Sequence, residues 1–166
     1  MKLAIGSSYE MLGNYKEEKM DIKRGIKEFK SKYPMTIMWR KLKHAAIAEK
    51  YINADEQVLY TFGGQRADYD NKVFFYSSIV VLTNKRILVA QKRFFWRHKF
   101  FAITPDLFND MKVRMGIIWG KVMIDTLREK VIIDKIDKRA LVEIESYVSK
   151  YMMQEKKRYK EPIEAK

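Results

Sequence analysis

Between Gln57 and Asp134 the chain breaks into seven short apolar runs, and the spaces between them decide the fold class. Runs rich in Val, Ile, Phe and Tyr occupy about Gln57 to Gln65, Val73 to Leu82, Arg86 to Lys92, His98 to Ile103, Met111 to Ile117, Lys121 to Thr126 and Lys130 to Asp134. A parallel pairing needs a crossover of roughly a dozen residues, usually helical, and no interval here has room for one. The runs therefore predict an antiparallel meander. Asp68-Tyr69-Asp70-Asn71, Thr83-Asn84, Pro105-Asp106 and Asn109-Asp110 place short polar side chains where the backbone must reverse. Gly116 and Gly120 bracket Ile117-Ile118-Trp119, which predicts a tight connection or bulge.

The periodicity changes on both sides of this stretch. Ala140, Ile144, Tyr147, Val148, Tyr151 and Met152 share one helical face with Leu141 at its edge, and Asp137 can cap the first turn. Upstream, Ile22, Ile26, Phe29 and Tyr33 predict either one helix from about Lys16 to Phe29 or a pair of short ones, ended by Pro34. Thr36 is then expected to cap a second helix through about Tyr51. The expected organisation is an N-terminal helical extension over 1–52, a mainly β domain over 53–156 and a basic flexible tail over 157–166. The expected core draws on Val58, Tyr60, Phe74, Val80, Leu82, Ile87, Val89, Phe101, Ile124, Ile133, Ile144 and Val148. Neither N-terminal helix is expected to fold alone, so both should lie against the β domain or a partner.

Composition limits the rest. A chain of 166 residues with 47% hydrophobic and 33% charged residues is sized for one core and has the balance of a folded protein. It has no cysteine, which removes disulfides and thiolate chemistry. Its longest uncharged run, the twelve residues from Val73 to Asn84, is well short of the roughly 20 that a membrane-spanning helix needs. The first residues lack the apolar region of a secretory signal. A cytoplasmic location is the expectation, with peripheral attachment to a membrane left open.

Several segments together resemble a known family. Glu56-Gln57-Val58-Leu59-Tyr60, the run from Val80 to Ala90 with its Leu82-Thr83-Asn84-Lys85-Arg86 centre, Gly116-Ile117-Ile118-Trp119-Gly120 and Val122-Met123-Ile124-Asp125-Thr126 are similar to the YokE-like bacterial pleckstrin-homology (PH) domains over about residues 53–155. The resemblance implies a PH-like, seven-stranded, strongly bent antiparallel barrel capped by a C-terminal helix, with no agreed chemistry attached. Eukaryotic relatives of the fold bind inositol phosphates through cations around the first interstrand loop. Here that loop reads Arg66-Ala67-Asp68-Tyr69-Asp70-Asn71-Lys72, and Asp68 and Asp70 offset its cations.

Charge therefore directs attention elsewhere. The formal net charge is +13, and the span from Lys85 to Lys99 holds six cations and no acid. Within it, Lys92, Arg93, Phe94, Phe95, Trp96, Arg97, His98 and Lys99 form a basic, aromatic connection that is the candidate interaction surface. Its cations suit phosphates, and its aromatics suit a membrane interface or a nucleic-acid base. The plain alternative folds the aromatics onto the barrel and leaves the cations to water.

Catalytic signals are weak. His44 and His98 lack carboxylates at ligand spacing, Ser77-Ser78 lacks a nucleophile elbow, and Gly63-Gly64 is followed by no helix to cradle a phosphate. No catalytic, metal or cofactor residue is expected, and an enzyme would need a pocket near Asp125, Tyr60 or His98. The first expectation is a non-enzymatic scaffold or interaction module that binds a protein partner or a second copy of itself. An anionic membrane, nucleic acid and a small enzymatic activity follow as alternatives.

Overall fold

The computed structural model describes residues 21–67, 76–93 and 97–160. The predicted helix start near Lys16, the loop carboxylates Asp68 and Asp70, the core candidate Phe74, the aromatics Phe94, Phe95 and Trp96, and tail residues 161–166 lie outside the described residues.

Asp21 accepts a hydrogen bond from the Lys23 N–H and caps helix α1, Ile22–Lys32, which ends just before Pro34. Helix α2, Lys41–Glu49, starts later than the sequence predicts. Arg40 precedes it with φ 53°, and Thr36 is no cap: its Oγ1 accepts from the buried Asp137 N–H at 2.9 Å. A tertiary acceptor for Asp137 replaces a local one for the helix.

Seven strands follow: β1 Val58–Ala67, β2 Tyr76–Thr83, β3 Ile87–Lys92, β4 His98–Ile103, β5 Phe108–Met115, β6 Trp119–Thr126 and β7 Lys130–Asp137. They form one antiparallel sheet in the order β4-β3-β2-β1-β7-β6-β5. The sheet is not closed, and β4 and β5 are its edges. β1 pairs with β2 over nearly its whole length, yet meets β7 only at Gln65, Arg66 and Ala67. The sheet thus splits into two halves joined at one end of β1.

The N-terminal segment fills the split. Ile37 donates its N–H to the Lys135 carbonyl at 2.9 Å, and the Trp119 indole donates to the Met35 carbonyl at 2.7 Å. The register between β6 and β7 shifts between Gly120 and Val122, and Lys135 adopts φ 57° there, an uncommon conformation for a residue with a side chain. Met38 is buried, and the Phe29 ring lies 6.5 Å from Tyr60 and 6.4 Å from Phe62. The helical extension is therefore part of the same hydrophobic core as the sheet.

Both faces of β2 and β3 are covered. Val80, Leu82, Ile87 and Val89 are buried as predicted, together with Phe62, and so are Ile79, Val81, Leu88 and Ala90 on the opposite face. Helix α2 packs over that second face and buries Ala45 and Ala48. Continuous runs such as Ile79-Val80-Val81-Leu82 are what a strand buried on both sides requires. Ile124 and Ile133 are also buried, whereas Val58, Tyr60 and Phe101 are only partly so.

After β7 a continuous helical segment, 138–160, closes the fold. It runs through a tight turn at Lys138–Ala140, an α-helical turn at Leu141–Ile144, a π-helical stretch at Glu145–Ser149 and an α-helix at Lys150–Lys160. Asp137 caps it as expected, accepting from the Arg139 N–H. Ala140, Leu141, Ile144, Val148 and Met152 are buried, and Tyr147 stacks on Tyr60 with centroids 4.9 Å apart. The helix runs through Lys160, into the segment 157–166 that the sequence predicts as a basic flexible tail. Lys156 reaches the Phe108 carbonyl and Arg158 pairs with Glu155, so local and tertiary bonds extend the helix by another turn.

Candidate functional site

The Thr83-Asn84-Lys85-Arg86 motif builds a structural network. Glu56 is fully buried, and its carboxylate accepts from the Asn53 N–H, the Thr83 hydroxyl and both Arg86 Nε and Nη2 at 2.8–3.0 Å. Burial alone would raise the Glu56 pKa, but these donors, Arg86 first among them, hold it below the ordinary carboxylate value. Thr83 Oγ1 also accepts from the Lys85 and Arg86 amides, closing the β2–β3 turn. Arg86 is therefore committed to the turn and to Glu56, and Lys85 pairs with Asp55.

A second network ties the helices together. Glu143 accepts from the Tyr60 hydroxyl at 3.0 Å, from the Tyr33 hydroxyl at 2.6 Å and from Lys32. Burial and the adjacent Glu143 charge both push the Tyr60 phenol upward, so it stays a neutral donor. Tyr33 from the N-terminal segment, Tyr60 from β1 and Glu143 from the C-terminal helix are thereby clamped at one point.

The candidate catalytic groups fall into separate networks. Tyr60 belongs to the Glu143 clamp, Asp125 accepts from Asn109 at 3.4 Å, and His98 Nε2 bonds the Tyr51 hydroxyl at 2.9 Å. Ser77 Oγ accepts from the Trp39 N–H, and Gly63 and Gly64 sit inside β1 opposite Ile79 and Ser78. Among the described residues, no group of three His, Cys, Asp or Glu side chains is placed to hold a metal ion.

His44 is a buried residue of α2, and its Nδ1 accepts from the Lys92 N–H at 2.7 Å. Burial lowers its pKa from 6.5 to about 4, against a bond to the Trp39 backbone, with the Arg40 charge adding to the shift. Between those two values the unfolded chain takes up a proton that the folded chain refuses, so stability falls as pH drops through the window. The full loss is about 3 kcal/mol. Urea unfolding across the window checks it, and His44→Gln is expected to flatten that part of the profile.

Of the candidate interaction surface, Lys92, Arg93 and Arg97 to Lys99 lie among the described residues. Lys92 pairs with His98 and Gln91 with Lys99 in the β3–β4 ladder, and the Arg93 N–H donates to the Arg97 carbonyl across the hairpin end. Arg97, His98 and Lys99 are exposed. Arg93 lies over the Tyr76 ring at 5.6 Å, which draws that cation back onto β2. The free edge of β4 runs on from these residues, beside Phe100, which stacks on Tyr51 at 3.9 Å.

A second exposed feature passed unrecognised in the sequence. The β5–β6 hairpin turns through Gly116-Ile117-Ile118-Trp119, with the Gly116 N–H bonded to the Trp119 carbonyl at 2.8 Å. A Cβ at Gly116 would lie 2.5 Å from that carbonyl oxygen, and one at Gly120 would lie 2.6 Å from the Arg114 carbonyl oxygen, so both positions require glycine. Ile117 is 90% exposed at the tip. The bracketing glycines marked the connection, but Ile117 also reads as the end of a strand, and the exposure of its side chain left no signal.

A bent, open, seven-stranded antiparallel sheet backed by a C-terminal helix is the architecture of a PH-like domain. The bacterial PH domain family matches residues 52–150, and the chain belongs to that family. The match starts after α2, so the segment that wedges the sheet halves apart precedes it. Among solved structures, the chain is similar to a pleckstrin homology domain from Shewanella amazonensis SB2B, with 12% identity, a TM-score of 0.45, and coverage of 87% of this chain and 98% of that one. It is also similar to a DUF1696 family protein with a pleckstrin-homology domain from Shewanella loihica PV-4, with 14% identity, a TM-score of 0.43, and coverage of 67% and 95%. A comparison with curated proteins finds no match. No helix among the described residues is long and apolar enough to cross a membrane.

Proposed function

We propose that this chain is a non-catalytic interaction module that binds an acidic, extended segment of a protein partner along the free edge of β4. The observation that carries this reading is the open sheet: β4 is hydrogen-bonded to β3 on one side and, among the described residues, has no strand on the other. An edge of this kind binds by strand addition, in which main-chain bonds supply affinity and flanking side chains supply selectivity. Arg97, His98 and Lys99 stand exposed at the head of the edge. Asp and Glu are absent from the whole span between Lys85 and Lys99, so the approach favours negative charge.

The test is an amide-resolved NMR titration of the full chain with a synthetic extended peptide of alternating Glu and Val. Shift changes should concentrate on 97–103, and Arg97→Glu with Lys99→Glu should abolish them. Changes spread evenly over the surface cations, or none at all, would sink the proposal.

A further inference from the structure

The apolar tip of the β5–β6 hairpin combines three features that point to one ligand class. Ile117 and Ile118 are 90% and 44% exposed and Met115 is 59% exposed, so three large apolar side chains cluster at one turn. Met35, itself 48% exposed, joins them at the base, because its carbonyl accepts from the Trp119 indole. Turn chemistry does not explain the isoleucines. Two-residue hairpin turns favour Gly, Asn or Asp, whereas here two β-branched residues occupy the turn and neither has a positive φ.

The exposed charges beneath the tip are predominantly cationic. Arg114 and Lys121 are direct cross-strand partners, and like charges so placed repel. Lys121 is partly compensated by Asp134 at 3.6 Å, and Arg139 is paired with Asp137. Lys138, whose N–H donates to the Ile118 carbonyl, is exposed, and Lys135 lies over the Trp119 ring at 4.7 Å. An apolar point above a collar of cations is complementary to a bilayer that offers acyl chains under negative headgroups. The rigidity also fits: Trp119 is held by Met35 and Lys135, and Gly120 seats the hairpin against Leu141.

We infer that the hairpin tip, Met115 to Ile118, inserts into the interface of an anionic lipid bilayer, with Arg114, Lys121 and Lys138 contacting the headgroups. This surface is independent of the β4 edge. Arg66 near the end of β1 pairs with Glu129 in the β6–β7 turn and Arg93 covers Tyr76 at the start of β2, which places the β3–β4 connection at that end of the sheet. The Ile118 tip lies at the opposite end of β6, against Lys138. A partner strand on β4 and a membrane under the hairpin could be engaged together.

The absence of cysteine makes the test direct. Full-length Ile117→Cys, labelled with an environment-sensitive fluorophore, is mixed with vesicles of phosphatidylcholine alone or with added phosphatidylglycerol. Leu127→Cys, on the far β6–β7 turn and 70% exposed, is the reference site. The label at 117 should brighten and shift to the blue on anionic vesicles only, with the label at 127 silent. In sedimentation, Ile117→Ser with Ile118→Ser should weaken anionic-vesicle binding by about tenfold or more, and Arg114→Glu with Lys138→Glu should weaken it comparably at low salt. Three results would each overturn the inference: no vesicle binding, binding with the label at 117 silent, or a change at 117 that follows protein concentration without lipid. The last would make the tip a contact between copies of the chain. None of these results bears on the peptide titration at β4.

Discussion

Arg86→Ala is expected to lower the unfolding free energy by about 3–5 kcal/mol, the range for breaking a buried ion pair from one side. The guanidinium supplies two of the four hydrogen bonds to the fully buried Glu56 carboxylate, and its Nη2 also donates to the Tyr51 carbonyl. Removing it leaves a buried charge that must protonate or pull in water. The companion double variant, Glu56→Leu with Arg86→Leu, removes both charges and should cost less than Arg86→Ala alone. Urea denaturation of the two variants decides the matter. A double variant worse than the single one would mean that the pair stabilises beyond the cost of its burial. Glu56 has a lowered folded pKa, so its contribution is present above the ordinary carboxylate value and is lost as pH falls through the folded one.

Ile144→Ala is the second large effect, expected at about 2–5 kcal/mol from lost transfer energy plus the cavity left behind. Ile144 is fully buried on the C-terminal helix, next to the clamp in which Glu143 holds Tyr33 and Tyr60. The change therefore loosens the helix at the point where it meets both β1 and the N-terminal segment. Lys150→Ala, on the exposed side of the same helix, should fall within about 0.5 kcal/mol of the parent. Thermal melts that rank the two variants in the opposite order would place the helix in the wrong phase.

Much of this fold was legible in one dimension because its signals are local. Interval lengths between apolar runs excluded crossovers, and the period of Ala140, Ile144 and Val148 marked the face that packs inward. Asp137 was readable as a cap because a capping carboxylate needs only the first turn it faces. Thr83-Asn84-Lys85-Arg86 lies at the centre of one of the four segments that carry the family resemblance, and the structure gives that motif a folding role through Glu56. The partner of Arg86 stands 30 residues away in sequence, so no local rule connects them.

The site was less legible. The basic character of Lys92 to Lys99 is plain in sequence, but the free edge that gives it a direction depends on which strands lie last in the sheet. At the β5–β6 turn the bracketing glycines announce a connection, but only the folded hairpin, closed by the bond between Gly116 and Trp119, shows that Ile117 and Ile118 project into solvent.

The sequence alone determined an antiparallel sheet of seven strands followed by a helix, because strand and helix periods and the short intervals between them are properties of neighbouring residues. Tertiary structure decided where the sheet opens and what fills the gap. Thr36, expected to cap α2, was drawn instead to the Asp137 amide, and Met35 and Ile37 were drawn to Trp119 and Lys135. The physical reason is that a buried backbone donor left unpaired costs about 1–3 kcal/mol, as much as a helix cap contributes or more. Only the assembled sheet shows which donors would be stranded, and hence why the N-terminal segment belongs to the core.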